Sequence, residues 1–109
     1  MILKELVENI PLKFVNDVSL QKEVKGVYIG DLLSFVMGNG TEETLWLTVQ
    51  RHLNVVAVAE LVDFSAIVFV QDVYPEKDTI DKATELGIPL FYSSLTAYDL
   101  SKELMKAGL

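Results

Sequence analysis

Residues 45–59 read LWLTVQRHLNVVAVA, two apolar runs meeting at a crowded polar point made of Gln50, Arg51, His52 and Asn54. The first run begins as TLWLTV (44–49), which is strand-length and has no polar alternation, the mark of a strand buried on both faces. The second, HLNVVAVAELV (52–62), is long enough for a helix and apolar almost all round, which predicts a buried helix. The polar point is therefore the place where a buried strand hands over to a helix.

The same order recurs along the chain. AIVFV (66–70) is a second buried strand, followed by a helix over PEKDTIDKATELG (75–87), with Pro75 near its first turn and Gly87 past its end. IPLFYS (88–93) is a third strand. TAYDLSKELMKAG (96–108) closes the chain as a helix capped by Thr96, with Asp99 in its first turn and Gly108 at its end. Strand starts near 45, 66 and 88 lie 21 and 22 residues apart. Strand–helix–strand units with continuously apolar strands imply a parallel sheet with right-handed crossovers and helices covering it.

Upstream the pattern is looser. ILKELVENI (2–10) places Leu3, Leu6, Val7 and Ile10 on one helical face before Pro11. LKFVN (12–16) reads as a short strand and VSLQKEVKG (18–26) as a loop. VKGVYIG (24–30) reads as a strand, after which Asp31 is placed to cap a short helix over LLSFVM. GNGTEE (38–43) reads as a turn in which Gly38, Asn39 and Gly40 tolerate positive φ. The expectation is one α/β domain over 1–109, a mainly parallel sheet of four to five strands with flanking helices.

Composition limits the function. The 109 residues carry a net charge of −7, which repels phosphate backbones and argues against a nucleic-acid partner. There is no cysteine and one histidine, so disulfides, thiol chemistry and a transition-metal centre are not expected, and no cofactor is expected. No basic flank precedes an apolar run at the start, and no run is long enough to span a bilayer, so the expected setting is cytoplasmic. Half the residues are hydrophobic, rich for a small monomer, and a homodimer is expected to cover part of that surface.

In a parallel sheet the strand C-terminal ends share one edge, and ligands bind in the crevice outside it. The loops at that edge carry Asp31 and Ser34; Gln50, Arg51, His52 and Asn54; Gln71, Asp72 and Tyr74; and Ser93, Ser94 and Thr96. The candidate ligand-binding set is Gln50, His52, Asn54, Asp31, Ser34 and Gln71, and no catalytic residue is singled out. Helix-start amides suit a small anionic group, and a neutral histidine suits a nucleotide-like edge equally. The competing reading is that these side chains only cap helices and satisfy local backbone groups. Thr48 reads as an ordinary β-branched strand residue, and PEKD as an exposed acidic turn. No phosphate-cradling G-x-x-x-x-G-K-[ST] loop, no G-x-G-x-x-G and no G-x-S-x-G elbow occurs.

VYIGDLLSFVM (27–37), LWLTVQRHLNVVAVA (45–59), AIVFVQ (66–71) and ATELGIPLFYSSLTAYDLSKEL (83–104) together resemble the DRTGG-domain family, in its short stand-alone form. GDLLSFVM and TVQRHLNVVAVA carry most of the likeness. The resemblance implies a fold like the N-terminal domains of HPr kinase/phosphorylase and, more distantly, of Mur ligases. It also implies a regulatory role like that of the related domain inside long phosphotransacetylases. It does not imply kinase activity, because in HPr kinase the ATP site lies in a separate P-loop domain. Where relatives carry Thr-Gly-Gly or Ser-Gly-Gly after the second buried strand, this chain has Gln71-Asp72, which predicts the loss of close backbone approach there. The expected function is a non-catalytic regulatory or small-molecule-sensing domain. A small enzyme acting on a metabolite at the same crevice and a structural adaptor docked on a larger enzyme are the alternatives.

Overall fold

Strands that read as unbroken apolar runs are explained by what lies on either side of them. In the computed structural model, which describes residues 1–109, the elements follow in the order α1 (Leu3–Val7), β1 (Lys13–Phe14), β2 (Gly26–Ile29), α2 (Leu33–Asn39), β3 (Thr44–Thr48), α3 (Asn54–Val62), β4 (Ala66–Phe69), α4 (Lys77–Leu86), β5 (Leu90–Tyr92) and α5 (Ala97–Lys106). The sheet order is β1-β5-β4-β3-β2. All neighbours are parallel except β1, which runs antiparallel to β5. This is the expected α/β architecture with five strands.

Because β2 to β5 step across the sheet in one direction, crossovers of one hand put α2, α3 and α4 on one face. Alternate strand residues Trp46, Ile67, Phe69 and Leu90 pack there against Val36, Val55, Ala59 and Ala83. The opposite set, Leu45, Leu47, Ala66, Val68 and Phe91, packs against Leu3 and Leu6 of α1 and Leu100 and Leu104 of α5. Side-chain alternation thus feeds two cores, and neither face of the central strands meets water. No helix is long and apolar enough to cross a membrane.

Several local expectations change. Gly38 and Asn39 extend α2, and Gly40 ends it at φ −67°, so none of the three uses positive φ. Glycine is needed at Gly40 for space: an added Cβ would lie 2.6 Å from Phe64 Cζ and 2.9 Å from the Val36 carbonyl oxygen. The left-handed residue in that connection is Glu43, at φ 58°. Asp31 does not cap α2, whose N-cap is Leu32 with no side-chain bond. Helix α3 is not buried all round; Leu61 is 72% exposed because α3 lies in an outer layer with one face to solvent. Gly87 at φ 73° and the Thr96 cap, which accepts from the Asp99 amide, fall as expected.

Asn16, buried and unremarked in the sequence, holds the antiparallel end of the sheet. Its amide donates to the Ile88 carbonyl at 2.9 Å, and its Oδ1 accepts from the Leu90 amide at 2.9 Å. The segment after β1 is thereby laid against β5 through side-chain bonds that stand in for a longer ladder.

Candidate functional site

At the C-terminal edge of the sheet, β2 is followed by Gly30-Asp31 and β3 by Val49-Gln50. Asp31 Oδ1 accepts from the Thr48 hydroxyl at 2.8 Å and from the Val49 amide at 2.9 Å. Gln50 returns the tie: its Nε2 donates to the Asp31 carbonyl at 2.8 Å, and its amide donates to Thr48 Oγ1 at 3.1 Å. Asp31 and Gln50 are therefore brought together, with Thr48, fully buried, as the link between them.

His52 goes elsewhere. Its Nδ1 lies 2.5 Å from Glu76 Oε1, at the start of α4. That hydrogen bond is the main reason the Glu76 carboxyl sits below the ordinary carboxylate range; slight burial opposes it, and the charges of His52 and Arg51 add to it. Arg51 Nε donates to the Tyr74 carbonyl at 2.7 Å, and its Nη1 stands 4.0 Å from Glu76 Oε2. The Arg51 carbonyl accepts from the Glu76 amide at 3.1 Å and from Thr79 Oγ1 at 3.0 Å. The β3–α3 loop is thus fastened to the start of α4, and Glu76, which reads as part of an exposed turn, is the centre of that fastening. No signal in the sequence joins residues 24 positions apart.

The remaining expected residues do not join this network through their side chains. Ser34 is exposed on α2, and Gln71 is exposed after β4. Asn54 opens α3 and borders a separate apolar groove of about 500 Å³ between α3 and α4, with Leu53, Ala57 and Leu86. That groove is the largest hollow in the molecule, and it lies between two helices of the layer that covers the sheet.

The gap between β4 and β5 is where neighbouring loops leave for opposite faces, toward α4 and α5, and where a crevice is expected. Backbone closes it. Gln71 and Asp72 both adopt left-handed conformations, at φ 57° and 60°. Their amides donate to the carbonyls of Leu95 and Ser93, each at 2.9 Å. Two non-glycine residues thus take the conformation that glycine would adopt freely. At the ends of β2 and β3, Asp31, Arg51 and His52 are exposed, and Gln50 and Glu76 are half-buried beside them.

Neither a protein-family model nor a curated protein matches the sequence. Among solved structures, the chain is similar to the CBS and DRTGG domains of the regulatory region of Clostridium perfringens pyrophosphatase, complexed with its activator diadenosine tetraphosphate. The TM-score is 0.74 at 12% identity, over 96% of this chain and 46% of that one. The chain spans about half the length of the solved chain that it matches. The likeness covers the whole α/β architecture described above, and the chain has a DRTGG-like fold.

Proposed function

We propose that residues 1–109 form a single non-catalytic regulatory domain of the DRTGG type, which senses a small molecule at the C-terminal edge of the sheet. Gln50, His52 and Asp31 are its centre, with Asn54, Ser34 and Gln71 around them. The observation that carries this reading is the concentration of polar groups at one edge of an otherwise apolar sheet, with Arg51, His52 and Glu76 held in fixed relation at the surface. The ligand class is a small anionic or nucleotide-like molecule. Arg51 supplies the positive charge and His52 Nε2 a ring nitrogen that Glu76 does not engage. The fold shared with a regulatory region bound to a dinucleotide supports that class. The domain works in the cytoplasm as a homodimer, without kinase activity of its own, because no phosphate-cradling loop accompanies the fold.

Thermal unfolding with diadenosine tetraphosphate, ATP and AMP as probes tests this reading. At least one probe is expected to raise Tm of the wild type, and to lose that effect in Gln50→Ala and His52→Ala while both variants remain folded. Undiminished stabilisation in both variants places the binding site elsewhere, and no stabilisation by any of the three removes the nucleotide class. Conversion of a bound probe to product, followed by mass spectrometry, would replace the sensor by a small enzyme.

A further inference from the structure

We propose that the outer face of α3 is the contact surface of a homodimer, in which α3 crosses α3 of a second copy, antiparallel, at Ala57. The inference rests on the homodimer reading above and supplies its surface.

Helix α3 meets solvent with little polarity. Its exposed positions are Asn54, Ala57, Glu60 and Leu61, and Glu60 is the one charged residue of Asn54–Val62. Leu61 is 72% exposed, and Leu53, just before the helix, is 43% exposed. The neighbouring α4 differs: its surface carries the ion pairs Lys77–Asp81 and Lys82–Glu85. Between the two helices runs the groove of about 500 Å³, mostly apolar and open to solvent, with Glu60 and Lys82 on its two walls and Leu86 beside them. A projecting apolar ridge and a receiving apolar groove thus stand side by side on one face.

A second copy is the occupant that such a face fits. Leu53 and Leu61 lie four residues before and four after Ala57, on one i±4 ridge. The small side chain at the middle lets two helices approach to about 8 Å between axes, the near end of ordinary helix spacing. An antiparallel crossing at Ala57 sets Leu53 opposite the partner subunit's Leu61 and Leu61 opposite the partner subunit's Leu53. That reciprocity is the mark of a closed two-fold contact.

Charge decides the direction of the crossing. Glu60 makes no ion pair within the chain. Lys82 has Glu85 alone, at 3.5 Å. A parallel crossing would set Glu60 level with the partner subunit's Glu60, two like charges in one contact. The antiparallel crossing moves these carboxylates to opposite sides of the axis and brings α4 of both copies to the same flank. Glu60 then faces the partner subunit's Lys82, twice over, which makes the face complementary to itself in charge as well as in shape. An unrelated apolar partner would fill the groove without this reciprocity.

The absence of cysteine makes the test clean. Ala57→Cys places two thiols beside the axis, within disulfide reach at that helix spacing. Mild oxidation is expected to cross-link it faster than Met105→Cys, which is 73% exposed on α5, across the sheet, and serves as control. Leu61 is exposed, so Leu61→Arg leaves the fold intact, and light scattering is expected to fall from twice the 12.2 kDa of one chain to that single mass. Glu60→Lys is expected to loosen the dimer on dilution, and Lys82→Glu added to it to restore the wild-type mass. A wild-type mass of one chain overturns the homodimer itself, and anilinonaphthalene sulfonate fluorescence that Leu86→Lys abolishes would then give the groove to a small apolar ligand. A dimeric wild type whose Ala57→Cys form cross-links no faster than the control, or whose Leu61→Arg form stays dimeric, keeps the homodimer and overturns α3 as its surface. A charge-swapped double variant that stays dissociated overturns the antiparallel crossing.

Discussion

The Thr48 hydroxyl donates to Asp31 Oδ1 over 2.8 Å, and this bond makes Asp31 a tie between two strand ends, leaving the cap of α2 without it. Thr48 is buried, so its hydroxyl has no water to turn to. The carboxylate is the one acceptor that serves both it and the Val49 amide. Gln50 reaches back to the Asp31 carbonyl, so any ligand that engages the Gln50 amide competes with this bond and acts on the β2–β3 connection.

Asp31→Ala is therefore expected to lower stability by about 1–3 kcal/mol, the cost of leaving a buried donor unsatisfied. Asp31→Asn keeps one acceptor and should lose less. Thr48→Val, which removes the donor and keeps the shape but also takes the acceptor from the Gln50 amide, should lose no more than Asp31→Ala. Urea unfolding of the three variants checks the order. Equal stability of Asp31→Ala and wild type would show that the tie contributes nothing.

Two glycines in one connection should answer alanine with opposite signs. Gly38 lies inside α2, and an added Cβ there meets nothing within 4 Å. Gly38→Ala is expected to stabilise by about 0.5–1 kcal/mol through helix propensity and a less free unfolded chain. At Gly40 the same methyl overlaps Phe64 and the Val36 carbonyl. Gly40→Ala should cost about 1–3 kcal/mol by overpacking. Thermal melts of the pair decide it, and equal shifts would contradict the contact geometry.

The fold was legible in the sequence because burial leaves a simple trace. Strands covered on both faces lose their polar alternation, and TLWLTV, AIVFV and IPLFYS show it directly. What the trace lacks is direction in space. The run NVVAVAELV looks buried all round, yet alanine and leucine also stand on its outer face, at Ala57 and Leu61. An aspartate before a helix serves equally as a cap or as a cross-strand acceptor, so the role of Asp31 turned on where Thr48 points. Of the six expected ligand residues, Asp31 and Gln50 meet; His52 is drawn to Glu76, whose position depends on the start of α4 and leaves no mark near residue 52. Asn16 and Gly40 act through contacts with residues far along the chain, which no local pattern announces.

Gln71 and Asp72 hold left-handed backbone without glycine. For an ordinary residue that conformation costs about 1–2 kcal/mol, while glycine gives back about 0.4–1 kcal/mol through its freer unfolded state. Gln71→Gly is then expected to be neutral or to stabilise by up to about 1.6 kcal/mol. Gln71→Val should destabilise, because a β-branched side chain is poorly tolerated at positive φ. Chemical denaturation of the two variants is the check. A clear loss with glycine would mean that the Gln71 side chain, exposed and free of intramolecular bonds, does more for folding than its conformation costs.

Glu76 offers a reading of the His52 contact that does not depend on any ligand. Its carboxyl is held below 4.5, first by the His52 hydrogen bond and then by the charges of His52 and Arg51. A carboxylate depressed in the folded state contributes stability above its unfolded value, and that contribution fades as pH falls through the folded value. The affected window therefore lies from about 4.5 downward, and both groups are exposed enough for solvent to keep the effect small. His52→Ala removes the leading cause, so the Glu76 midpoint should rise toward 4.5, with Arg51 holding back part of the shift. Carbon-13 NMR of the Glu76 carboxyl across pH 2–7 reads this directly. A Glu76 midpoint unchanged by His52→Ala would mean that the two side chains are not bonded in solution, and that the β3–α3 loop is fastened to the start of α4 through Arg51 alone.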